Sequence, residues 1–278
     1  MMTPIIPIAV TTGSLYPLPT LESIRQLKQL GIQDIELTLQ SNEFSLTFER
    51  KLSMPSLPEL LALVEQNKLN VRSVHAPLMD AERCYNMWAR QQFLLHSIET
   101  CRLLGGRLVV IHPFHLFRTH EDALRYLAGD CTSLPSALLP EINEALDAAQ
   151  AAGIRLALEN IQDWQDELFF NTPQNVLRFL QDMNHPSLGL TLDLMHAQFP
   201  NLLDEFVQTL SHQIVNIHAA DLLPPAKRVA IGKGVIDWDR LAPTLGTLPN
   251  LCQINVELSN PQSSEISESI ETLSALMA

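Results

Sequence analysis

The chain has 278 residues, 46% of them hydrophobic, enough to bury one large core. Its formal net charge of −13 argues against a broad nucleic-acid surface, because neutralising phosphates needs clustered Lys and Arg. No apolar run approaches the roughly 20 residues of a membrane span, no signal-like leader opens the sequence, and four scattered cysteines read as reduced thiols, so a cytoplasmic protein is expected.

Taken in chain order, "PIIPIAV" is a short β-type run, followed by the amphipathic helix "TLESIRQLKQLG" with a glycine stop. "IQDIEL" is the second strand and "SLPELLALVEQNKL" its helix. "VRSVH" comes next, then the long helix around "ARQQFLLHSIETCRLLGG" and the strand "RLVVIH". "LPEINEALDAAQAAG" leads into "IRLALE", "TPQNVLRFLQDM" into "LGLTLD", and "NLLDEFVQTLSH" into "QIVNIH". The last unit is a weaker helix near "DWDRLAPTLGTL", the strand "CQINVE" and the helix "SSEISESIETLSALMA". Thr172 with Pro173 suits a helix start, and Gly31 and Gly153 suit helix stops. The segment "FHLFRTHEDALRYLAGDCTSLPSALLP" is longer than an ordinary connection. It reads as a lid or partner contact, or as an added helix around "HEDALRYLAG" on the rim.

Strands written as continuous apolar runs are buried on both faces, as in a parallel sheet covered by helices. Eight strand–helix units in a chain of this length predict one (β/α)8 TIM barrel over residues 1–278, since such barrels typically take about 250 residues. An open doubly wound sheet is the competitor. It is weakened because no glycine-rich dinucleotide fingerprint follows the first strand.

Six consecutive strands end in a side chain able to bind metal: His75, His112, Glu159, Asp193, His218 and Glu257. In a barrel the carboxyl ends of the strands converge on one face, so these six would line one bowl. Helix capping is the plain alternative, and Asp193 alone would fit it. Glu and His are poor caps, however, and several buried carboxylates are costly unless they share a cation.

The pieces "VHAPL", "VVIHP", "LALEN", "LTLDLMHA", "VNIHAAD", "IGKGVIDW" and "NVEL", in this order, resemble the xylose-isomerase-like TIM-barrel superfamily. That group includes sugar isomerases and epimerases, hydroxypyruvate isomerases and the endonuclease IV family. The resemblance implies an active site at the C-terminal ends of the strands and a quartet, Glu159, Asp193, His218 and Glu257, holding one divalent ion. Mn²⁺ is the first choice, with Mg²⁺, Co²⁺ or Zn²⁺ also compatible. It further implies proton abstraction next to a carbonyl through an enediolate. Glu159 and Glu257 would be the catalytic pair, each keeping one oxygen free to face the substrate.

His75, His112, His196 and Arg228 are expected to contact substrate or, for the histidines, to complete a second metal site. Glu36 is expected on the substrate wall, and Trp164 and Phe114 to stack on a ligand or pack in loops. His96, His115, His120, His185 and His212 read as surface or packing residues. The expected partner is a sugar or small hydroxy-carbonyl substrate, with no nucleic acid and no membrane, and a homodimer through the rim is compatible. Two alternatives stay open: a metal-dependent lyase of the 3-dehydroshikimate dehydratase type, and an endonuclease IV-like apurinic-site phosphodiesterase. The latter needs an Asp and a His two residues apart before the G-x-G, where this chain has Ala226 and Arg228.

Overall fold

The computed structural model describes residues 6–46, 52–78, 87–117, 120–128, 142–161, 172–198, 202–224 and 227–278. Eight strands form the frame: β1 (Ile8–Thr11), β2 (Asp34–Gln40), β3 (Asn70–Leu78), β4 (Leu108–Ile111), β5 (Arg155–Glu159), β6 (Leu188–Asp193), β7 (Ile214–Ala219) and β8 (Gln253–Val256). Each pairs in parallel with its successor, and β8 returns to β1 through Ile8↔Ile254 and Val10↔Val256, closing the barrel. The expected (β/α)8 barrel is the observed architecture. Closure satisfies every strand edge, and the open doubly wound sheet is thereby excluded.

Helices cover the outside because their apolar stripes match the outward-facing residues of the strands. Ile24 and Leu27 of helix Thr20–Gln29, Val176 and Phe179 of helix Pro173–Met183, and Phe206 and Leu210 of helix Leu203–Leu210 are buried in one continuous core with Ile35, Val109, Leu156 and Leu190. Helix ends follow the sequence signals. The Thr172 hydroxyl accepts from Asn175 N at 3.3 Å with Pro173 opening the helix, and Gly31 and Gly153 take φ of 80° and 67°. Within the long segment after β4, helix His120–Leu127 is present, as one of its two readings expected, and Tyr126 donates to Asp182 at 2.7 Å. Residues 129–141 and Trp164 lie outside the described residues, as does the side chain of Phe114.

The barrel interior is layered with period two, as strand geometry requires. On one side the filling is apolar: Leu108, Val110, Ala157 and Val215. On the other it is polar and fully connected. Asn255 Nδ2 donates to Asn216 Oδ1 at 3.0 Å, Asn216 Nδ2 to Thr191 Oγ1 at 3.2 Å, and Gln253 Nε2 to Ser73 Oγ at 2.7 Å. Two residues further along, His75 follows Ser73, Asp193 follows Thr191, His218 follows Asn216 and Glu257 follows Asn255, one layer nearer the carboxyl ends of the strands.

Elements too short to show a period in sequence were not expected. They are the ribbon Ser45–Leu46 with Leu52–Ser53, the helix Leu194–Gln198, and the hairpin of Asp221–Leu223 with Lys227–Val229. The hairpin is held by Asp221, and Gly234 lies directly against it. A Cβ at Gly234 would meet Asp221 Oδ1 and Leu222 O at 2.3 Å, so no side chain fits without moving backbone. Gly234→Ala is expected to lower stability by about 2–3 kcal/mol, the upper range of overpacking, measured by urea unfolding at constant m. An unchanged midpoint would mean the loop has room that this geometry denies. Among the described residues no helix is long and apolar enough to cross a membrane.

Candidate metal centre

Six side chains converge at the carboxyl ends of β3 to β8. Glu159 and Asp193 are the last residues of β5 and β6, and His218 is the last but one of β7. Glu257 and His112 follow β8 and β4 directly. His75 lies three residues before the end of β3, because that strand runs on to Leu78. The expected tip position is therefore shifted for His75, yet its ring still enters the bowl.

Two clusters share Glu159. Ligand atoms of Glu159, Asp193, His218 and Glu257 lie within 4.8 Å of one another, as do those of His75, His112 and Glu159. Glu159 Oε2 is 3.2 Å from His75 Nε2 and 3.0 Å from His112 Nε2, while its Oε1 is 3.3 Å from His218 Nδ1. Both Glu159 oxygens therefore lie against imidazoles, Oε2 between His75 and His112 and Oε1 beside His218. Glu257 is more open, with 19% of its side chain exposed against 3% for Glu159. Its Oε2 is 3.0 Å from His218 Nδ1 but is not aligned for a hydrogen bond, and it has no other partner among the described residues.

Arg228 reaches in from the hairpin. Its Nη2 donates to Asp193 Oδ2 at 2.6 Å, and its Nη1 forms an ion pair with Glu257 Oε1 at 2.9 Å. Sequence placed this cation towards substrate oxygens; here its guanidinium is committed to two carboxylates of the quartet, where it offsets their mutual repulsion. His196 is on the same bowl: its N–H donates to Asp193 Oδ1 at 2.9 Å, and its Nε2 is 4.0 Å from Asp193 Oδ2.

The electrostatics follow from these contacts. Burial would raise Glu159, but the His218 and His112 rings hold its carboxyl well below the usual range. Burial likewise works against ionised Glu257, yet Arg228 and His218 pull it down. Asp193 goes the other way, pushed up by burial despite His196 and Arg228. His218, which burial would lower, is driven well above its ordinary value by Glu36, Glu159 and Glu257. His75 is raised against the effect of burial through its contact with Glu159, and His112 is lowered by burial.

Three carboxylates crowded around one imidazole, with a buried Glu257 oxygen lacking a hydrogen bond, are the donor set of a hard or borderline divalent cation. Metal content tests this. Wild type is expected to carry about one divalent ion per chain on the quartet, and Asp193→Ala much less, by elemental analysis. Equal loads would remove Asp193 from the ligand set.

Two residues were missed or misplaced from sequence, Glu36 and Asp221, and a third, His115, has a more specific place than expected. Glu36 does not line the substrate wall. It is fully buried, with Oε1 3.0 Å from His218 Nε2. His115 is a packing residue, as expected, but a structural one: its Nδ1 accepts from His112 N at 3.0 Å, and burial pushes it down to about 3. Asp221 was visible only as part of the "VNIHAAD" resemblance. Its two oxygens accept from the backbone N–H of Leu222, Gly232 and Ile236 and from Trp238 Nε1, at 2.8–3.1 Å. Four donors 1 to 17 residues away cannot be read from a string.

The family described as Xylose isomerase-like TIM barrel matches residues 24–276. The chain belongs to this family. Among curated relatives, an uncharacterised protein of Methanocaldococcus jannaschii is 25% identical over 61% of this chain and 57% of its own length. An uncharacterised protein of Mycobacterium leprae is 23% identical over 91% of this chain and 85% of its own. Of the solved structures, a D-tagatose 3-epimerase-like protein superposes with a TM-score of 0.74 at 20% identity, covering 98% of this chain and 97% of that one. A D-allulose 3-epimerase from Methylomonas sp. gives 0.72 at 16%, covering 99% and 100%. An AP endonuclease, family 2, from Brucella melitensis gives 0.70 at 15%, covering 94% and 97%. At these identities the structural likeness establishes the barrel alone.

Proposed function

We propose that this xylose isomerase-like barrel is a divalent-metal-dependent isomerase or epimerase acting on a sugar or small hydroxy-carbonyl compound. The observation that carries the reading is the quartet Glu159, Asp193, His218 and Glu257, whose ligand atoms cluster within 4.8 Å at the carboxyl ends of four successive strands. These residues would hold one ion, Mn²⁺ by first preference and Mg²⁺, Co²⁺ or Zn²⁺ otherwise. When bound, the ion supplies Lewis acidity, which acidifies a C–H next to a carbonyl and stabilises the enediolate left behind.

The proton is moved by the side chains. Glu257 is assigned the abstraction because it is the more open of the two glutamates, with Arg228 and His218 favouring its ionised form. Glu159, held between His75, His112 and His218, is assigned the return of a proton on the other side of the substrate carbon. Arg228 keeps Asp193 and Glu257 in place, and His75, His112 and His196 bound the remaining wall. The solved epimerases of this fold support the class of reaction. The proposed partner is the small-molecule substrate, with no nucleic acid, and a homodimer as the assembly.

A second reading has one specific observation behind it. His75, His112 and Glu159 form a ligand cluster beside the quartet, as a phosphodiesterase with several metals would use, and the Brucella structure is of that kind by name. Against it, the third-site positions carry Ala226 and Arg228, and Arg228 is already paired with two carboxylates.

One experiment separates the readings. Metal-loaded protein is incubated with ketoses, aldoses and hydroxy-carbonyl acids in deuterated water, and separately with an abasic-site duplex. Deuterium is expected at the carbon next to the carbonyl of one substrate, with the duplex uncut. Loss of water from a hydroxy acid would assign the site to the dehydratase-type lyases. Metal-dependent incision of the duplex, absent in Glu159→Gln, would make it a phosphodiesterase.

A further inference from the structure

Glu36 on β2 belongs to neither ligand cluster, yet it is fully shielded from solvent and touches the metal-facing histidine. Its Oε2 accepts from Ser73 Oγ at 2.7 Å and from Asn255 Nδ2 at 2.8 Å. Both donors are themselves fixed: Gln253 Nε2 donates to Ser73 Oγ, and Asn255 Nδ2 also reaches Asn216 Oδ1. The other oxygen, Oε1, stands 3.0 Å from His218 Nε2 in a bent approach, and neither atom has another partner among the described residues. On the far side of the same ring, Nδ1 faces Glu159 Oε1 at 3.3 Å and Glu257 Oε2 at 3.0 Å.

We propose that Glu36 is a positioning residue for the metal centre: it holds the Nε2–H of His218 and so leaves Nδ1 as the nitrogen offered to the ion. This rests on the quartet being a metal site. A neutral imidazole carries one proton, and an ionised carboxylate can only accept, so a carboxylate at Nε2 selects the Nε2–H form. Carboxylates placed behind metal-binding histidines act in this way and raise the basicity of the ligating nitrogen. The surrounding network makes the choice specific. Ser73 and Asn255 both donate to Oε2, so a glutamine at this position would turn its carbonyl oxygen towards them. Its NH₂ would then face His218 Nε2, a donor against a donor in the metal-binding tautomer. Relief requires the proton to move to Nδ1, which blocks the ion.

The test uses Zn²⁺ as probe, because it is diamagnetic. Affinity is read by competition with a chromophoric chelator. The state of the ring is read from assigned histidine nitrogen-15 spectra of the zinc-loaded protein. In wild type, His218 is expected to be ligated through Nδ1 and protonated at Nε2. Glu36→Gln should bind Zn²⁺ about 10–100-fold more weakly. Glu36→Asp, still acceptor-only, should recover much of that loss. Wild-type affinity in Glu36→Gln, equal weakening in Glu36→Asp, or ligation of His218 through Nε2 would each overturn the role of Glu36 while leaving the metal site standing. If Glu36→Gln does not fold, the wild-type spectrum still decides. A wild type that takes up no Zn²⁺ overturns the metal-centre reading, and the role of Glu36 with it.

Discussion

Glu257→Gln and Glu159→Gln are each expected to slow turnover by about 10²–10⁴-fold at saturating metal, the usual worth of a general acid–base group. An amide is close to the shape of a carboxylate and still offers an oxygen to a cation, but it cannot take up a proton at neutral pH. The two variants should nevertheless differ. Glu257 is ion-paired with Arg228 and is the more exposed, so its variant should retain most of its metal and lose chemistry. Glu159 lies within 3.3 Å of three imidazoles, so an amide there sets N–H groups against ring nitrogens and should weaken metal retention as well. Elemental analysis alongside steady-state rates separates the two effects. In a two-base mechanism one variant should still wash deuterium into substrate while making no product. Near-normal turnover in both, once metal is restored, would leave them as ligands only and move the base to His112 or His196.

The largest effect on stability is expected outside the ligand set, at Asp221. Each of its oxygens accepts two N–H bonds, from Leu222 and Ile236 on Oδ1 and from Gly232 and Trp238 on Oδ2. Asp221 is fully buried, so Asp221→Ala leaves several donors unpaired away from water. Unsatisfied buried groups cost about 1–3 kcal/mol each, with partial relaxation, so a loss of at least about 3 kcal/mol is expected. For a chain of this size that is a drop in Tm of roughly 6–12 °C. Asp221→Asn should do little better, since its NH₂ would face two N–H donors whichever way it turns. Because Asp221 opens the hairpin that carries Arg228, activity should fall with stability even where the variant is folded. A melting temperature within a degree or two of wild type would show that water replaces the carboxylate and that the loop does not depend on it.

The barrel and the residues facing its bowl were legible in the sequence for a simple reason. Continuous apolar runs such as "RLVVI" and "LGLTL" are what strands buried on both faces require, and a His, Asp or Glu breaking each run at its end is a local signal. Six such breaks in six successive units become a site once parallel closure sends all carboxyl ends to one face, and the structure brings all six together. The helix start at Thr172 and Pro173 was equally local, since a cap bonds within its own first turn.

What only the tertiary structure decided depends on contacts between distant residues. Glu36 and His218 are 182 positions apart, and Glu36 and Asn255 still further, so their shared task has no sequence period to announce it. Arg228 could be placed near the bowl from the motif around it. That it would pair with Asp193 and Glu257, and not remain open to substrate, follows from a hairpin of three-residue strands anchored on Asp221. That Glu159 Oε2 would lie between two histidines follows from β3 and the end of β4 bringing His75 and His112 onto it. Local hydrophobicity specifies which element a residue belongs to and which way its strand points. Which side chains then share a proton, a cation or a hydrogen bond is settled by the closing of eight strands around one axis, where groups far apart in the chain are forced within 3 to 4 Å and must satisfy one another.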